Sequence, residues 1–506
     1  MNESTRQRLR DGKRRIERRL RDIAWSPQEQ PMFRGTNVHY ELAERTRAID
    51  VGGMPAMHVL AKRIGLASDI DEQLHLLKVH LPYHESDHVL NIALNILSGG
   101  TCLEDLELRR NDENYLNSLG TQRIPDPTTA GDFCRRFDEA DVEVLMRVIN
   151  RARLRVWKRQ PDDFFERAII EADGTFAPTT GECKQGMDIS YDGQWGFHPL
   201  IVSLANTAEP LFLVNRSGNR PSHEGAAERF DQALALTRRA GFRSTLFRGD
   251  TDFSQTKHLD RWDTAGVGFV FGMDAMANLV QMADALPPAA WRGLERQARD
   301  IKTAPRAKPE RVKERIVLER AFESLYLLKE EVTEFDYSPA ACDKTYRMVV
   351  VRKNLTRECG QKVLWAEHRY FFYITNLRDE SAEQVVFLAN DRCNQENLIA
   401  QLKSGVRALR MPVDTLVSNW AYMVMASLAW SLKAWFALML PVFGRWREQH
   451  LLEKQRLLQM EFRTFLNEII RVPAQIVRTG RRIVVRFLAW RPMLHVFLRG
   501  ATVLRC

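Results

Sequence analysis

Three acidic side chains stand where carboxylates could gather divalent metal ions: Asp173, Asp250 and Glu396. Asp173 closes the β-branched run RAIIEADGT (167–175), where apolar residues give way to Gly174 and the backbone can turn. Glu171, two residues earlier and on the same strand face, competes with it for that role. Asp250 stands in RGDTDF directly after the apolar TLF, again at a strand end, and Asp252 competes there for the same geometric reason. Taken singly, an aspartate at a strand end is most often a turn former or a helix cap. As a set held on rigid elements, such acids suit metal-assisted phosphoryl transfer, because Mg²⁺ is a hard ion that takes carboxylate oxygens. Two ions about 3.5 to 4 Å apart can activate the attacking oxygen and stabilise the leaving one.

The third acid is the most informative. In NDRCNQENLIAQLKSGVRALR (390–410), Leu398, Leu402, Val406 and Leu409 form one apolar helical stripe. Arg392, Glu396, Lys403, Arg407 and Arg410 fall within an arc of about 60° at about 100° per residue, so one glutamate faces four cations. A solvated face with an Arg392–Glu396 pair is the plain alternative. Gly405 matters here, since a helix broken at that point would take Arg407 and Arg410 out of the arc.

The elements that must position these acids differ along the chain. Residues 1–165 read as mainly helical, with apolar residues at helical spacing in 88–99 and 140–157. PDPTTAGDFCRRF (125–137) predicts a turn, a cap at Thr128 or Thr129 and a short basic helix, a plausible helical DNA-binding unit. From 166 to 275 the texture becomes strand-rich: 167–175, 186–192, 198–206 and 210–218 precede a helix stopped by Gly241, and 244–253 and 266–275 follow it. The stretch 276–364 is too long for a loop and predicts an inserted subdomain, helical over its charged run Arg292–Lys329 and β-rich at 346–354. Residues 365–440 carry HRYFFYITNL and the Glu396 helix, and 441–506 read as a basic helical C-terminal region.

At 506 residues the chain is long enough for a sizeable core, which excludes a small binding module. Its net charge of +9 favours polyanionic partners, nucleic acid or an anionic membrane surface. Residues 1–22 carry nine Lys or Arg against four acids, and from Arg445 onward thirteen face four Glu. Seven scattered cysteines without a C-x-x-C pair argue for a reducing compartment and against structural zinc. The N-terminus opens with charge and shows no secretory signal, so a cytoplasmic protein is expected. Trp420–Pro441 is long and apolar enough to be weighed as a membrane span, yet Lys433 interrupts it and it stands alone, which favours a buried helix over the sheet. No membrane partner is expected. Arg481, Arg482 and Arg486 among apolar residues also fit a membrane-surface amphipathic helix.

Taken together, these residues resemble the DDE-class transposases of bacterial insertion sequences, in particular the subgroup with a Tyr-Arg-Glu-Lys signature spaced Y-x2-R-x3-E-x6-K. Arg392, Glu396 and Lys403 match three of its positions, and the tyrosine position falls on Ala389. EADGT (171–175), RGDTDF (248–253) and the stretch between them are similar to the family's first and second acidic strands and their connection. The likeness covers roughly 165–275 and 365–410.

The resemblance implies an α/β fold: a ribonuclease H-like mixed sheet flanked by helices, with an insertion subdomain between the second aspartate and the glutamate. It implies cut-and-paste transposition, with Asp173, Asp250 and Glu396 as catalytic metal ligands for two Mg²⁺ ions and Mn²⁺ an acceptable substitute. Arg392, Lys403 and Arg407 then become DNA-binding residues that grip phosphates, positioning the backbone without specifying sequence. The partners expected are double-stranded DNA at transposon ends and target, and a second copy of the chain in a homodimeric synaptic complex, with the protein nucleoid-associated when bound. The basic termini would add salt-dependent affinity and end recognition. His198 and His223 are expected to be neutral structural or capping residues, because Mg²⁺ prefers oxygen. Trp195, Trp262 and Trp365 read as packing residues, any one of which could stack an extruded base. A catalytically inactive DNA-binding descendant and a standalone metal-dependent nuclease are the alternatives.

Overall fold

The computed structural model describes residues 3–21, 47–80, 82–181, 183–190, 192–295, 323–359, 362–391, 393–479 and 482–504. Its strands in chain order are β1 (Ala48–Ile49), β2 (Arg167–Gly174), β3 (Ala177–Pro178), β4 (Asp188–Ile189), β5 (Trp195–Phe197), β6 (Leu200–Leu204), β7 (Glu209–Val214) and β8 (Ser244–Gly249). They continue as β9 (Gly268–Met273), β10 (Arg292–Gly293), β11 (Glu323–Tyr337), β12 (Tyr346–Cys359), β13 (Lys362–Thr375), β14 (Ala474–Thr479) and β15 (Arg482–Phe487). Among the described residues, nine strands form one mixed sheet in the order β10-β11-β12-β13-β9-β8-β2-β6-β7. β8 runs parallel to β2 and to β9, while the other neighbours are antiparallel. The fold is therefore mixed α/β, with helices flanking a large sheet.

The centre of the sheet is buried on both faces. β6 is buried throughout, and β2 buries Ala168, Ile170 and Ala172. A helix spanning Ala226–Ala240 makes the parallel crossover to β8 and ends where Gly241 takes up a left-handed conformation that glycine adopts without strain. The edge at β7 is covered by the long helix Leu416–Leu438, whose indole N–H groups donate to the strand or its approach: Trp420 to Leu213 O, Trp430 to Ala208 O at 2.7 Å and Trp435 to Glu209 Oε1 at 2.7 Å. Such cover removes an exposed sheet edge. This helix is also long and apolar enough to cross a membrane, and its most apolar window is fully buried inside the protein. Thr415 caps it, accepting from Ser418 N at 3.0 Å.

The N-terminal helices pack on that long helix and tie into the sheet through a buried polar node. Glu209 accepts from Arg153 Nε (3.0 Å), Trp157 Nε1 (3.0 Å) and Thr207 Oγ1 (2.6 Å). Satisfying its lone pairs in this way makes a fully buried carboxylate tolerable. The short basic helix at Pro127–Arg135 is capped by Asp126, which accepts from Thr129 N at 2.9 Å, not by Thr128 or Thr129. Proline at the first helical position, preceded by aspartate, starts the helix two residues earlier than expected.

Two further differences have physical reasons. The run Arg292–Lys329 is not helical where described: Arg292–Gly293 and the residues from Glu323 onward are strand, and 296–322 lie outside the described residues. β10 to β13 extend the central sheet through the β13–β9 pairing, so their long ladders outweigh the helical propensity of Glu and Lys. The C-terminal region contains the β14–β15 hairpin at 474–487, which pairs with β1, in place of the amphipathic helix expected around Arg482 and Arg486. Ile476, Val477, Ile483, Val484 and Val485 are β-branched and favour a strand.

Candidate active site

β2 and β8 lie side by side in parallel, with Glu171 paired to Arg248. Both side chains point to one face, and Arg248 Nε donates to Glu171 Oε1 at 2.7 Å with Nη2 at 2.5 Å. The two are essentially inaccessible to water. Arg248 Nη1 also donates to Leu388 O at 2.7 Å, near the end of the helix Ala382–Asn390. Glu171, the rival of Asp173, is therefore committed to an ion pair inside the protein.

Two residues on, that register sets Asp173 beside Asp250, just beyond the last residue of β8. Continued two residues past the last pair, with neighbouring strands about 4.8 Å apart, that register points both carboxylates to the face that Glu171 and Arg248 share. Both aspartates are half-buried. Asp250 Oδ1 also accepts from Asp252 N at 3.1 Å and so starts the short turn Thr251–Phe253, while Asp252 itself is exposed. Glycine at 272 is required beneath this turn, because a Cβ there would lie 2.9 Å from Thr251 N.

The helix Cys393–Ala400 is fixed to the sheet by the residue that precedes Glu396. Gln395 is fully buried, its Nε2 donates to Ile201 O at 3.1 Å, and its Oε1 accepts from Ser203 Oγ. Ile201 is the cross-strand partner of Asp173. Glu396 is thus carried above the strand adjacent to the first aspartate, with its side chain open to solvent. Among the described residues no three His, Cys, Asp or Glu side chains already converge as a closed metal cluster. The β2–β8 register directs Asp173 and Asp250 to the same end of the two strands, and Glu396 lies exposed on the helix pinned to β6.

Lys403 follows in a π-helical turn, Gln401–Gly405, held by Phe462 N donating to Gln401 Oε1 at 2.9 Å. Desolvation lowers its pKa while the charge of Asp173 acts in the opposite sense, so the ammonium lies in the field of Asp173. Arg392 lies outside the described residues. Arg407 departs from the predicted arc: the helix stops after Gly405, and Arg407 takes a left-handed conformation (φ 55°). Its spacing from Glu396 therefore no longer defines a shared helical face. Arg410, turned away likewise, donates to Thr101 O at 3.0 Å.

His198 sits over Gly174, where an added Cβ would come within 2.7 Å of its Cε1. Burial pushes it down to about 4, and the nearby Arg216 guanidinium, 3.2 Å from Nδ1, acts in the same sense, as does Lys403. It adds no positive charge at neutral pH. His223 is exposed, and its carbonyl accepts from Gln255 Nε2 at 2.7 Å. Trp262 is core, with Nε1 donating to Asp231 at 2.9 Å, and Trp195 is about half exposed. The side chain of Trp365 lies outside the described residues.

Sequence reasoning missed the walls of the site. A cleft of about 300 Å³ beside Asp250 is lined by Thr251, Asp274, Tyr370, Tyr373 and Ala389 among others. A second cavity of about 670 Å³ shares Tyr370 and Phe371 with it and reaches His368 and Arg369. The run HRYFFYITNL held this signal, since its alternation places successive aromatics on opposite faces of β13. Tyr373 packs in the same apolar cluster as Ala389, the position where the signature has tyrosine.

Two acids at the ends of adjacent parallel strands, and a glutamate helix pinned to the strand beside the first, lie on one mixed α/β sheet. Residues 47–506 match the family model described as transposase DDE domain, group 1. The chain belongs to that family, whose members are transposases that cleave and transfer DNA. A solved structure described as the cryo-EM structure of the piggyBac transposase synaptic complex with hairpin DNA is similar over 83% of this chain and 82% of that one, at 10% identity and a TM-score of 0.34. No curated protein matches the sequence.

Proposed function

We propose that the protein catalyses metal-dependent cut-and-paste transposition of an insertion sequence, with Asp173, Asp250 and Glu396 as its catalytic carboxylates. The observation that carries this is the Asp173–Asp250 adjacency on β2 and β8, with Glu396 anchored through Gln395 to the partner strand of Asp173. The β7-β6-β2-β8-β9 part of the sheet is read as a ribonuclease H-like core, with 276–364 as its insertion and the helices before 166 and the region after 440 as DNA-contacting parts.

The donor set fits a hard divalent ion, because carboxylate oxygens stand on rigid neighbouring strands and the nearby histidine is kept neutral. Asp173, Asp250 and Glu396 would hold two Mg²⁺ ions, or Mn²⁺ in their place. When bound, these ions supply an activated oxygen nucleophile and charge stabilisation for the leaving oxygen. Glu396 at the rim closes on the aspartates as substrate arrives, consistent with catalytic contacts that tighten only in the loaded complex.

The chain's own side chains position the DNA. Lys403, in the field of Asp173, takes a phosphate next to the reacting one, with Arg392 assigned the same task from sequence. Water attacks the phosphorus at the element's end, the P–O3′ bond breaks, and a 3′-hydroxyl and a 5′-phosphate result. That hydroxyl then attacks a target phosphodiester, forms a new P–O3′ bond and releases the target's own 3′-hydroxyl. Two element ends call for two copies of the chain, so a homodimer on double-stranded DNA is the working assembly, in the cytoplasm and at the nucleoid.

Labelled element ends, a target plasmid and Mg²⁺ provide the test. Joined products are expected. Nicks without joining would mean a nuclease, and retarded but intact DNA would mean a binding protein only.

A further inference from the structure

The two cationic ends of the chain, far apart in sequence, meet in space. The helix Glu3–Arg21 presents Thr5, Leu9 and Gly12 as its half-buried stripe. Leu9 packs against the core, and a Cβ built on Gly12 would touch the Trp490 side chain at 3.5 Å, ordinary van der Waals contact. Trp490 follows directly on the β14–β15 hairpin. The helix therefore docks by one face beside that hairpin and turns its other faces outward.

What it turns outward is charge without local compensation. Glu3 takes Arg10 at 2.8 Å and Glu17 faces Lys13 at 3.7 Å. Arg8, Arg14, Arg15 and Arg18 are exposed and have no acidic partner among the described residues. On the hairpin, Arg478, Arg482 and Arg486 are likewise exposed and, among the described residues, have none. No acid occurs in the sequence after Glu468, so nothing in that stretch dilutes the field. Arg482 and Arg486 lie on one face of β15, about 13 Å apart at the usual strand rise. A helix and a two-stranded ribbon, both arginine-rich, are elements that duplex nucleic acid accepts in a groove or along its backbone.

We infer that the N-terminal helix and the β14–β15 hairpin form one composite surface for duplex DNA, with Trp490 as the joint that holds the helix in place. The inference rests on the transposase reading for its choice of DNA over an anionic membrane. The helix precedes residues 47–506, the segment that matches the family. The contacts are with phosphates and carry affinity, not sequence choice.

The test is fluorescence anisotropy of the full chain with a labelled duplex of arbitrary sequence, in EDTA, over a range of KCl concentrations. Changing Arg14, Arg15 and Arg18 to Gln, or Arg482 and Arg486 to Gln, should in each case weaken binding and reduce the log–log salt slope by up to about 0.9 for each phosphate no longer neutralised. Trp490→Ala removes no charge, yet should lower affinity about tenfold, and adding the helix changes to it should cost little more. Gly12→Phe, which wedges a ring against the indole, is the second route to the same undocking should Trp490→Ala melt early. Equal binding by the helix variant, or charge variants that weaken binding while both undocking variants do not, overturns the composite surface. So does sedimentation with phosphatidylserine vesicles that is abolished in the Arg variants while their duplex affinity is unchanged. Because EDTA excludes cleavage, failure of the catalytic reading leaves these results untouched.

Discussion

Replacing Glu171 by Gln separates the two carboxylates on β2 that the sequence leaves in competition. Glu171 and Arg248 are both sealed from water, with Nε and Nη2 of the guanidinium 2.7 and 2.5 Å from the same carboxylate oxygen. Removing one charge strands the other in a low-dielectric interior, which costs about 3–5 kcal/mol. Arg248 keeps its bond to Leu388 O in the variant, so the loss belongs near the lower end of that range. Reversible urea unfolding followed by circular dichroism, alongside end cleavage in Mg²⁺, should show Glu171→Gln markedly less stable but catalytically competent where folded. Asp173→Asn should show the reverse, near-native stability and no cleavage. The double change Glu171→Leu with Arg248→Met should recover much of the stability, since matched apolar replacement of a buried pair is often neutral. A Glu171→Gln protein of undiminished stability that cannot cleave would refute this assignment and make Glu171 the ligand.

Other outcomes follow from the same geometry. Asp250→Ala should abolish cleavage and leave DNA binding nearly intact, and Asp252→Ala should retain cleavage, because Asp252 is exposed beyond the strand end; gel-based cleavage and band shift on both variants check this. Lys403→Ala should weaken DNA binding and reduce the salt slope by about 0.9, measured by anisotropy; an unchanged slope excludes a phosphate contact. Lys433 is wholly inaccessible, with Nζ donating to Leu458 O at 2.8 Å, and burial pushes it down to about 7 from 10.5. Its unfolded form binds the extra proton between those values, so its share of stability is full above 10.5 and is lost as pH falls toward 7. Lys433→Met should remove that slope and be the more stable protein near pH 7, read from urea midpoints between about pH 7 and pH 10.

Much of the site was legible in the sequence because its parts are local. The apolar run into Asp173-Gly174, the apolar TLF ahead of Asp250 and the long apolar helix can each be read within one element. What decided between rivals was not local. Glu171 is set apart from Asp173 by its ion pair with Arg248, which lies opposite it across a parallel pairing 77 residues away. The spacing of Arg407 fits the helical arc, yet a non-glycine residue in the left-handed region ends the helix there, and no residue-type rule forecasts that. The hairpin at 474–487 was missed although Thr479-Gly480 is a turn signal between two β-branched runs, because its arginines also satisfy a helical period. The aromatic walls of the cleft come from β13, a strand that reaches Asp250 only through its pairing with β9.

The central claim is that Asp250 presents its carboxylate to a divalent ion during phosphoryl transfer. Asp250→Cys tests it most directly, because a thiolate refuses Mg²⁺ and accepts softer ions. This variant should give no end joining in Mg²⁺ and measurable joining when Mn²⁺ or Cd²⁺ is supplied, while the parent works in Mg²⁺. Full joining by Asp250→Cys in Mg²⁺ alone, or a metal-dependent rescue seen in Asp252→Cys instead, would contradict it.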